Sequence, residues 1–172
     1  MEGASKAFHF DFRNKVILDI GSSTGGFTQY ALDHGAKKVI AIEKGTNQMA
    51  SPLRFDPKVE LHEKTNIFDF ELKNETDVVL ADVSFISLKP ILKYVSALKN
   101  AEFLVMLKPQ FEAKPEQLNN GIVKNETIRR QIIKDFEQWL KQNNFLIINK
   151  RDNELKGKNG NCERFYHLRL AK

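Results

Sequence analysis

The sequence has few of the features that mark secreted, metal-binding or membrane-spanning proteins. Cys162 is its only cysteine, so no disulfide can form within the chain and no cysteine-rich metal site can be built. The four histidines, His9, His34, His62 and His167, do not have metal-ligand spacing. No apolar run approaches the roughly 20 residues of a membrane-spanning helix, and the N-terminus lacks the apolar part of a secretory signal. We therefore expect a cytoplasmic protein that binds neither a metal nor a membrane.

The composition is typical of one globular domain. The chain has 172 residues, of which 41% are hydrophobic and 28% charged, and 13 phenylalanines can supply much of its core. Its net charge of +5 is compatible with a polyanionic partner such as RNA, although many soluble domains are mildly basic. Basic residues are concentrated in 150–172, which suits an RNA-facing surface and a solvated basic tail equally well.

Apolar runs alternate with helical patterns along the whole chain. The runs interpreted as strands are 15–20, 37–43, 58–64, 76–86, 101–109, 145–151 and 162–170, and the main helical patterns are 26–34, 87–100 and 126–143. Continuous Val, Ile and Leu runs between helices indicate a mainly parallel sheet with helices on both faces, and the last two strands indicate an antiparallel hairpin. This α/β pattern is typical of the Rossmann-like fold of S-adenosylmethionine (SAM) dependent methyltransferases.

A glycine-rich loop follows the first predicted strand, in VILDIGSSTGGFTQYALDHG (16–35). Ligands of open α/β sheets bind beyond the carboxyl ends of the strands, where glycines let the backbone turn and approach a ligand closely. No lysine follows the glycines, which disfavours a phosphate-binding P-loop, and a serine replaces the second glycine of the dinucleotide fingerprint. The candidate cofactor-binding residues here are Asp19, Gly21, Ser22, Ser23, Thr24, Gly25, Gly26 and Phe27.

Two further polar residues follow the next two predicted strands. Glu43 lies about twenty residues beyond the loop, where a carboxylate can accept both hydroxyls of a ribose. Asn66 follows the third strand, where its amide can contact an adenine edge. Glu43 and Asp19 could instead be ordinary carboxylates at strand ends, and Asn66 a simple turn residue. As a set, the loop and these residues favour an adenosyl ligand over NAD.

Seven motifs together give the chain a resemblance to the hemolysin-A, or TlyA-type, family of FtsJ-like RNA methyltransferases. They are LDIGSSTGGFT (18–28), GAKKVIAIEKGTNQ (35–48), KTNI (64–67), ADVSFISL (81–88), LKPQFE (107–112), NGIVKN (120–125) and GNCE (160–163). Their order is that of the family, and the pairing of DVSFISL with KPQFE is highly specific. The resemblance implies SAM as cofactor, ribosomal RNA or a ribosomal subunit as partner, and methylation of a ribose 2′-hydroxyl as reaction.

The resemblance also implies a catalytic Lys-Asp-Lys-Glu set. Its aspartate falls on Asp82, which also borders the cofactor, its second lysine on Lys108 and its glutamate on Glu163. The family's first lysine lies in a G-G-x-K-L segment, which we expect to fall before Met1; Lys6 is nearest but its surroundings do not match. We expect 1–14 to be a lead-in or the remnant of an upstream region, and 15–172 to be the FtsJ-like domain, without the S4-type RNA-binding module common in the family.

The chemistry can also be argued from residue types alone. A ribose hydroxyl holds its proton at neutral pH, so the protein must position it and remove that proton. Asp82 and Lys108 each follow a predicted buried strand at the edge that carries the glycine loop, and Glu163 lies near the final hairpin. Two alternatives stay open: a domain that binds SAM or RNA without turnover because the first lysine is missing, and, more weakly supported, a membrane-lytic hemolysin.

Overall fold

The computed structural model describes residues 1–154 and 160–171, and within them it contains one seven-stranded sheet. The strands are β1 Val16–Ile20, β2 Lys38–Ile42, β3 Val59–His62, β4 Val78–Ala81, β5 Glu102–Leu107, β6 Phe145–Asp152 and β7 Arg164–Leu170. Their order is β3-β2-β1-β4-β5-β7-β6, with β1 to β5 parallel and β7 antiparallel to both of its neighbours. The predicted mainly parallel sheet with a C-terminal antiparallel hairpin is confirmed.

Helices cover both faces of this sheet. They are α1 Glu2–Phe8, α2 Gly26–Asp33, α3 Ser51–Arg54, α4 Leu88–Val95, α5 Pro109–Glu112 and α6 Glu126–Gln142, with short 3₁₀ turns at Ile67–Asp69 and Pro115–Gln117. Helices α4 and α6 pack on one face, and α1 and α2 on the other. None of the helices in the described parts of the chain has the length and apolar character needed to cross a bilayer.

The continuous apolar runs form strands that are buried on both faces. All five residues of β1 are buried, and side chains that alternate along it enter different cores: Leu18 packs with α4 and α6, whereas Ile17 packs with α1 and α2. Helix α6 contributes Ile133, Phe136 and Leu140 to the first of these cores, as its helical pattern predicts. Its apolar face is therefore covered by the sheet.

The fourth strand is shorter than its apolar run predicts. The run 76–86 predicts a strand to its end, but β4 stops at Ala81 and the chain turns into α4. Two local features cause the turn: Phe85 adopts a left-handed backbone with φ of 64°, and Ser87 caps α4 by accepting a hydrogen bond from Lys89 N. The residues between β4 and α4 are thus a loop at the carboxyl edge of the sheet.

The N-terminal and C-terminal segments are both tied to the body of the fold. In the stretch expected to be a lead-in, Ala4, Phe8 and Phe12 are buried in the core beneath α1. The basic residues of the C-terminal hairpin have acidic partners: Lys150 with Glu137, Arg151 with Glu154, Arg164 with Asp152, and Arg169 with Glu102. These four are therefore paired with acidic residues at the surface of the fold, which leaves the choice between an RNA-facing surface and a solvated tail open, while Lys156, Lys158 and Lys172 lie outside the described residues.

The strand order places a crevice beside β1. From β1 the chain proceeds to β2 and β3 on one side, and it returns to β4 and β5 on the other. The helices that follow β1 and β4 therefore leave the sheet in opposite directions, and their connecting loops separate at the carboxyl ends of these strands. Such a switch point is where α/β sheets bind their ligands.

Candidate active site

A cleft of about 710 Å³ opens at this switch point. Its volume lies within the range of about 300–1,000 Å³ that is usual for small-molecule sites. Five of the predicted cofactor-binding residues line it, namely Gly21, Ser23, Glu43, Asn66 and Asp82. Residues that the motifs contain but the sequence does not single out also line it, among them Gln48, Thr65, Val83, Phe85 and Ile86. They come from loops whose course a one-dimensional pattern does not specify.

Gly21 is required by both its backbone conformation and its surroundings. Its φ is 78°, and a Cβ atom there would lie 3.0 Å from the carbonyl oxygen of Asp82. The amides of Gly21 and Ser22 both donate to Ile42 O, at 2.9 and 3.2 Å, which fixes the loop to β2. The predicted sharp turn after β1 therefore brings the loop against the loop that carries Asp82.

The second half of the glycine loop packs against protein and does not line the cleft. Gly25 has φ of 94°, and a Cβ atom there would overlap Leu53 Cδ2 of α3, so this glycine allows close packing of α3. Gly26 begins α2, Thr24 O accepts a hydrogen bond from Ala50 N, and Phe27 packs against Phe165. Ser22, although in the first half, is also buried. These residues shape the loop from behind.

Asp19 lies beneath the loop as a fully buried carboxyl group. Its Oδ2 accepts a hydrogen bond of 2.6 Å from Thr28 Oγ1, while its Oδ1 is buried and has no partner among the described residues. Burial raises the pKa of Asp19 to about 7 against the lowering effect of the Thr28 hydrogen bond, and the charge of Asp82 raises it further. An unpaired buried oxygen beside a ligand cleft is a position for a donor that the protein itself does not supply.

Glu43 joins the glycine loop to the loop after β2. Its Oε2 accepts from Ser23 N at 2.9 Å, and its Oε1 accepts from Gly45 N at 2.6 Å. Each carboxylate oxygen can accept a second hydrogen bond, so these contacts leave capacity for two ribose hydroxyls. Glu43 lines the cleft at the place the sequence predicts, and it also orders the loop around it.

Asn66 has the turn role that the sequence leaves open for it. It caps the 3₁₀ turn at Ile67–Asp69, where its Oδ1 accepts from Phe68 N at 3.3 Å. It is nevertheless exposed and lines the cleft on the side away from Asp82. The turn therefore presents the side chain at the third strand end.

The predicted catalytic residues Asp82 and Lys108 form an ion pair. They follow the adjacent parallel strands β4 and β5, so their side chains emerge at the same edge of the sheet. Lys108 Nζ lies 2.6 Å from Asp82 Oδ1 and donates to Ser84 Oγ at 3.0 Å. The lysine side chain is only 12% exposed, whereas that of Asp82 is 29% exposed and lines the cleft, so water and ligands reach the pair from the aspartate side.

Glu163 completes this group from the antiparallel hairpin. It immediately precedes β7, whose first residue, Arg164, pairs with Leu107 at the end of β5, and this register brings Glu163 close to Lys108. Burial raises the pKa of Glu163, and the positive charge of Lys108 opposes that rise. Its Oε1 has a long contact of 3.4 Å with Gln110 Nε2. The structure thus brings together the three residues that the sequence places in distant motifs.

Glu112 is a supporting residue that the sequence does not reveal as functional. Its side chain is 4% exposed and accepts hydrogen bonds from Ser87 Oγ and Leu88 N, both at 2.7 Å. It lies in the same LKPQFE motif as Lys108, while its partners begin α4 after the Asp82 loop. This carboxylate therefore connects the two loops that carry the ion pair. The sequence signal for it is its position in the motif, four residues after the predicted catalytic Lys108.

The chain is similar to several known proteins over most of its length. A protein from Campylobacter jejuni named 23S rRNA (cytidine-2′-O)-methyltransferase TlyA is 36% identical over 159 residues, which cover 91% of this chain and 63% of that protein. Hemolysin A of Brachyspira hyodysenteriae is 37% identical, with 98% and 73% covered. A solved structure from Lactococcus lactis, described as a hemolysin, superposes with a TM-score of 0.90 at 40% identity, covering 97% of this chain and 83% of that one.

The chain also matches the model of a whole family over nearly its full length. The sequence model of the FtsJ-like methyltransferases matches residues 1–170, which include α1, the glycine loop, the Asp82–Lys108 pair and the final hairpin. With the fold and the arrangement of the cleft described above, this match shows that the chain belongs to the FtsJ-like methyltransferase family.

Proposed function

We propose that this chain transfers a methyl group from SAM to a ribose 2′-hydroxyl of ribosomal RNA. The observation that carries the proposal is the Lys108–Asp82 ion pair, with Glu163 beside it, at the edge of an adenosyl-sized cleft. The printed names of relatives support the RNA substrate, since the Campylobacter jejuni protein is named for 2′-O-methylation of 23S rRNA.

The cleft residues suit SAM as cofactor. Glu43 can bind the ribose through its two carboxylate oxygens, and Asn66 can bind the adenine through its amide. The backbone of the loop from Gly21 to Ser23 is available for the rest of the cofactor. Asp19 Oδ1 and Asp82 provide negative charge beneath and beside the loop, which favours a cationic ligand. Bound SAM supplies a methyl group on a positively charged sulfur.

The ion pair and Glu163 suit activation of a hydroxyl. Lys108 Nζ is oriented by Asp82 Oδ1 and Ser84 Oγ, and its remaining N–H can donate to the oxygen of an incoming ribose. Burial raises the pKa of Glu163, and the charge of Lys108 interacts with its carboxylate. The two groups therefore titrate together, and as a pair they take up the hydroxyl proton. Positioning the oxygen and receiving its proton are the two tasks that methyl transfer to a ribose requires.

An aromatic pair beside the ion pair suits a nucleotide substrate. Phe85 is 92% exposed and has φ of 64°, an unusual conformation for a bulky residue, and its ring lies 5.2 Å from that of Phe111. The two rings stand on the loops that carry Asp82 and Lys108. Enzymes that modify nucleotides extrude the target and stack its base on aromatic side chains, so this pair provides a surface for that base.

The proposal is tested by methyl transfer from tritium-labelled SAM to ribosomal subunits, followed by mass mapping of the modified nucleotide. We expect label on a ribose, and a reduction of at least about 100-fold for Lys108→Met, which removes the amine while keeping the chain length. Lys93→Met, on the exposed side of α4, is the matched control and should retain activity. Label on a base, or SAM binding by calorimetry with no transfer to any subunit, would contradict the proposal; the second result would favour the binding domain without turnover.

A further inference from the structure

Three consecutive residues of the GNCE motif are held by three different partners. Asn161 contacts the segment 121–123 through its side chain, Cys162 O accepts from Arg129 Nε at 3.3 Å, and Glu163 O accepts from Asn153 N at 2.8 Å. The carboxylate of Glu163 is held more loosely by the described residues, through a long contact of 3.4 Å with Gln110 and an interaction with Asn153. Its place in the site is therefore set through its backbone.

The partner of Asn161 is a preformed tight turn in the NGIVKN motif. Asn119 and Ile122 exchange both backbone hydrogen bonds, at 2.9 and 3.0 Å, and the two residues between them, Asn120 and Gly121, have φ of 50° and 75°. Positive φ at both central residues defines a type I′ turn, for which Asn-Gly is the preferred pair. The turn thus has a fixed shape of its own before Asn161 contacts it.

The side chain of Asn161 makes two hydrogen bonds with the backbone of 121–123, as a neighbouring strand would. Its Oδ1 accepts from Val123 N and its Nδ2 donates to Gly121 O, both at 3.2 Å. A carboxamide presents one acceptor and one donor side by side, as a backbone edge does, so it can satisfy the two groups on alternate residues. Asn161 is only 5% exposed, so loss of either contact would leave a polar atom of its own buried side chain without that partner.

Arg129 fixes the next residue of the motif. This arginine, on the first turn of α6, is buried; besides Cys162 O it contacts Asp152 Oδ1 through Nη2 at 2.7 Å. Arg164 Nε donates to the same Asp152 oxygen at 2.6 Å. The start of α6 and the ends of β6 and β7 are in this way joined around the backbone of Glu163.

We propose that Asn161 is a positioning residue that sets the place of Glu163, with the turn at 119–122 as its template. The inference rests on the proposed function, because it takes Glu163 as part of the acid–base set. It assigns a role to the NGIVKN motif, which lies outside the cleft but determines where the last member of that set stands.

Cys162 is a built-in reporter for the claim. It is the only cysteine of the chain, it is partly exposed, and it lies between Asn161 and Glu163. Its rate of reaction with dithiobisnitrobenzoate therefore measures how often the segment 161–163 detaches from the turn at 119–122, with no signal from other thiols. Asn161→Ala should increase that rate at least about fivefold. Asn143→Ala is the matched control, since Asn143 Nδ2 donates to Trp139 O at 2.9 Å at the far end of α6, and it should leave the rate unchanged.

Methyl transfer provides the second measurement. Asn161→Ala should lower kcat at least about tenfold while the calorimetric Kd for SAM stays within about twofold, because the SAM cleft does not include Asn161. Asn161→Asp retains the acceptor to Val123 N but loses the donor to Gly121 O, so it should have an intermediate effect and also serves if the alanine variant does not fold.

Equal thiol rates in wild type and variants would overturn the inference, as would parallel losses of kcat, SAM affinity and thermal stability. If wild type transfers no methyl group, the proposed function fails, while the thiol rates still decide whether Asn161 holds the turn.

Discussion

At the scale of single residues, the buried Asp19 sets a pH dependence of stability. Its pKa is about 7 in the folded protein against 3.8 for an ordinary aspartate, so the folded state holds the proton more tightly than the unfolded chain. The unfolded chain then binds fewer protons between these values, and stability falls as pH rises from about 4 through about 7. Above about pH 7 the carboxylate of Asp19 is charged. That charge destabilises the folded protein but would attract a cationic cofactor.

Replacement of this carboxyl by an amide should remove the pH dependence. Asn can still accept the hydrogen bond from Thr28 Oγ1, so Asp19→Asn should be more stable than wild type by roughly 2–4 kcal/mol at pH 8.5. The difference should shrink towards pH 4, where Asp19 is protonated in the folded state and about half protonated in the unfolded chain. Urea unfolding of the two proteins at pH 4.5 and 8.5 measures this difference directly. A difference in free energy of unfolding that is the same at both pH values would contradict the assignment.

The exposed ring of Phe85, which also lines the cleft, should contribute mainly to RNA binding. Stacking of a base on an aromatic side chain contributes about 1–3 kcal/mol, so Phe85→Ala should weaken apparent RNA affinity by roughly 10- to 100-fold. Affinity for SAM should change little, and Phe85→Tyr should retain most of the stacking. Phe55→Ala is the control, because Phe55 is a phenylalanine that is 77% exposed after α3 and lines no part of the cleft. Equal RNA affinities for the two alanine variants would argue against a stacking surface.

At the scale of elements, Glu112 joins α4 to α5. Helix α4 begins with unpaired N–H groups, and the Glu112 carboxylate accepts from one of them and from the capping hydroxyl of Ser87. Because this contact links the end of the Asp82 loop to the residues that follow Lys108, it fixes the spacing of the ion pair.

Removal of the Glu112 carboxylate should therefore cost both stability and rate. Glu112→Ala leaves two buried donors without an acceptor and should lower the free energy of unfolding by about 2–4 kcal/mol, whereas Glu112→Gln retains one acceptor and should cost about 1 kcal/mol. Lys89→Ala is the control, since Lys89 Nζ lies 3.9 Å from Glu112 Oε2, at the limit of an ion pair, and such a long contact should contribute under about 1 kcal/mol. Chemical denaturation gives the three values, and an effect of Glu112→Gln no larger than that of Lys89→Ala would show that the link is not structural.

Most of the elements could be predicted from the sequence, but their boundaries at the site could not. The buried runs give β1, β2 and β5 almost residue by residue, because a parallel strand covered on both faces is apolar throughout. The end of β4 was misjudged, since Phe85 and Ile86 are apolar although they lie in an exposed loop beside the cleft. Apolar residues that serve a ligand cannot be told from core residues by periodicity.

The roles within the glycine loop divide in a similar way. The sequence predicts the turn at Gly21 and the carboxylate at Glu43, which depend on local order after a strand. It does not reveal that Gly25 makes room for Leu53, since that contact joins residues nearly thirty positions apart. The contacts of Asn161 with Gly121 and Val123 join residues that are still further apart in the sequence, and they form only when the whole sheet is assembled.

At the scale of the whole molecule, binding of SAM should stabilise the folded chain. The cleft is formed by loops from β1, β2 and β4, so a ligand there bridges segments that unfold together. At a concentration 100 times its Kd, a ligand adds about 2.7 kcal/mol. For a chain of this size that corresponds to a rise in Tm of roughly 5–10 °C. A thermal scan with and without SAM measures the shift, and Gly21→Ala, which is strained at φ of 78° and close to Asp82 O, should show a smaller one. An unchanged Tm at saturating SAM would contradict the assignment of the cleft.

The position of β7 has a consequence for biosynthesis. This strand comes after β6 in the chain, yet it is inserted between β5 and β6 in the sheet. A nascent chain that has not yet released residues 164–170 from the ribosome leaves one side of β5 open, and Glu163 has no neighbouring strand to bring it to Lys108. The proposed catalytic set can therefore form only after β7 has been synthesised, and a product that stops before β7 should be inert and prone to associate through the open edge of β5.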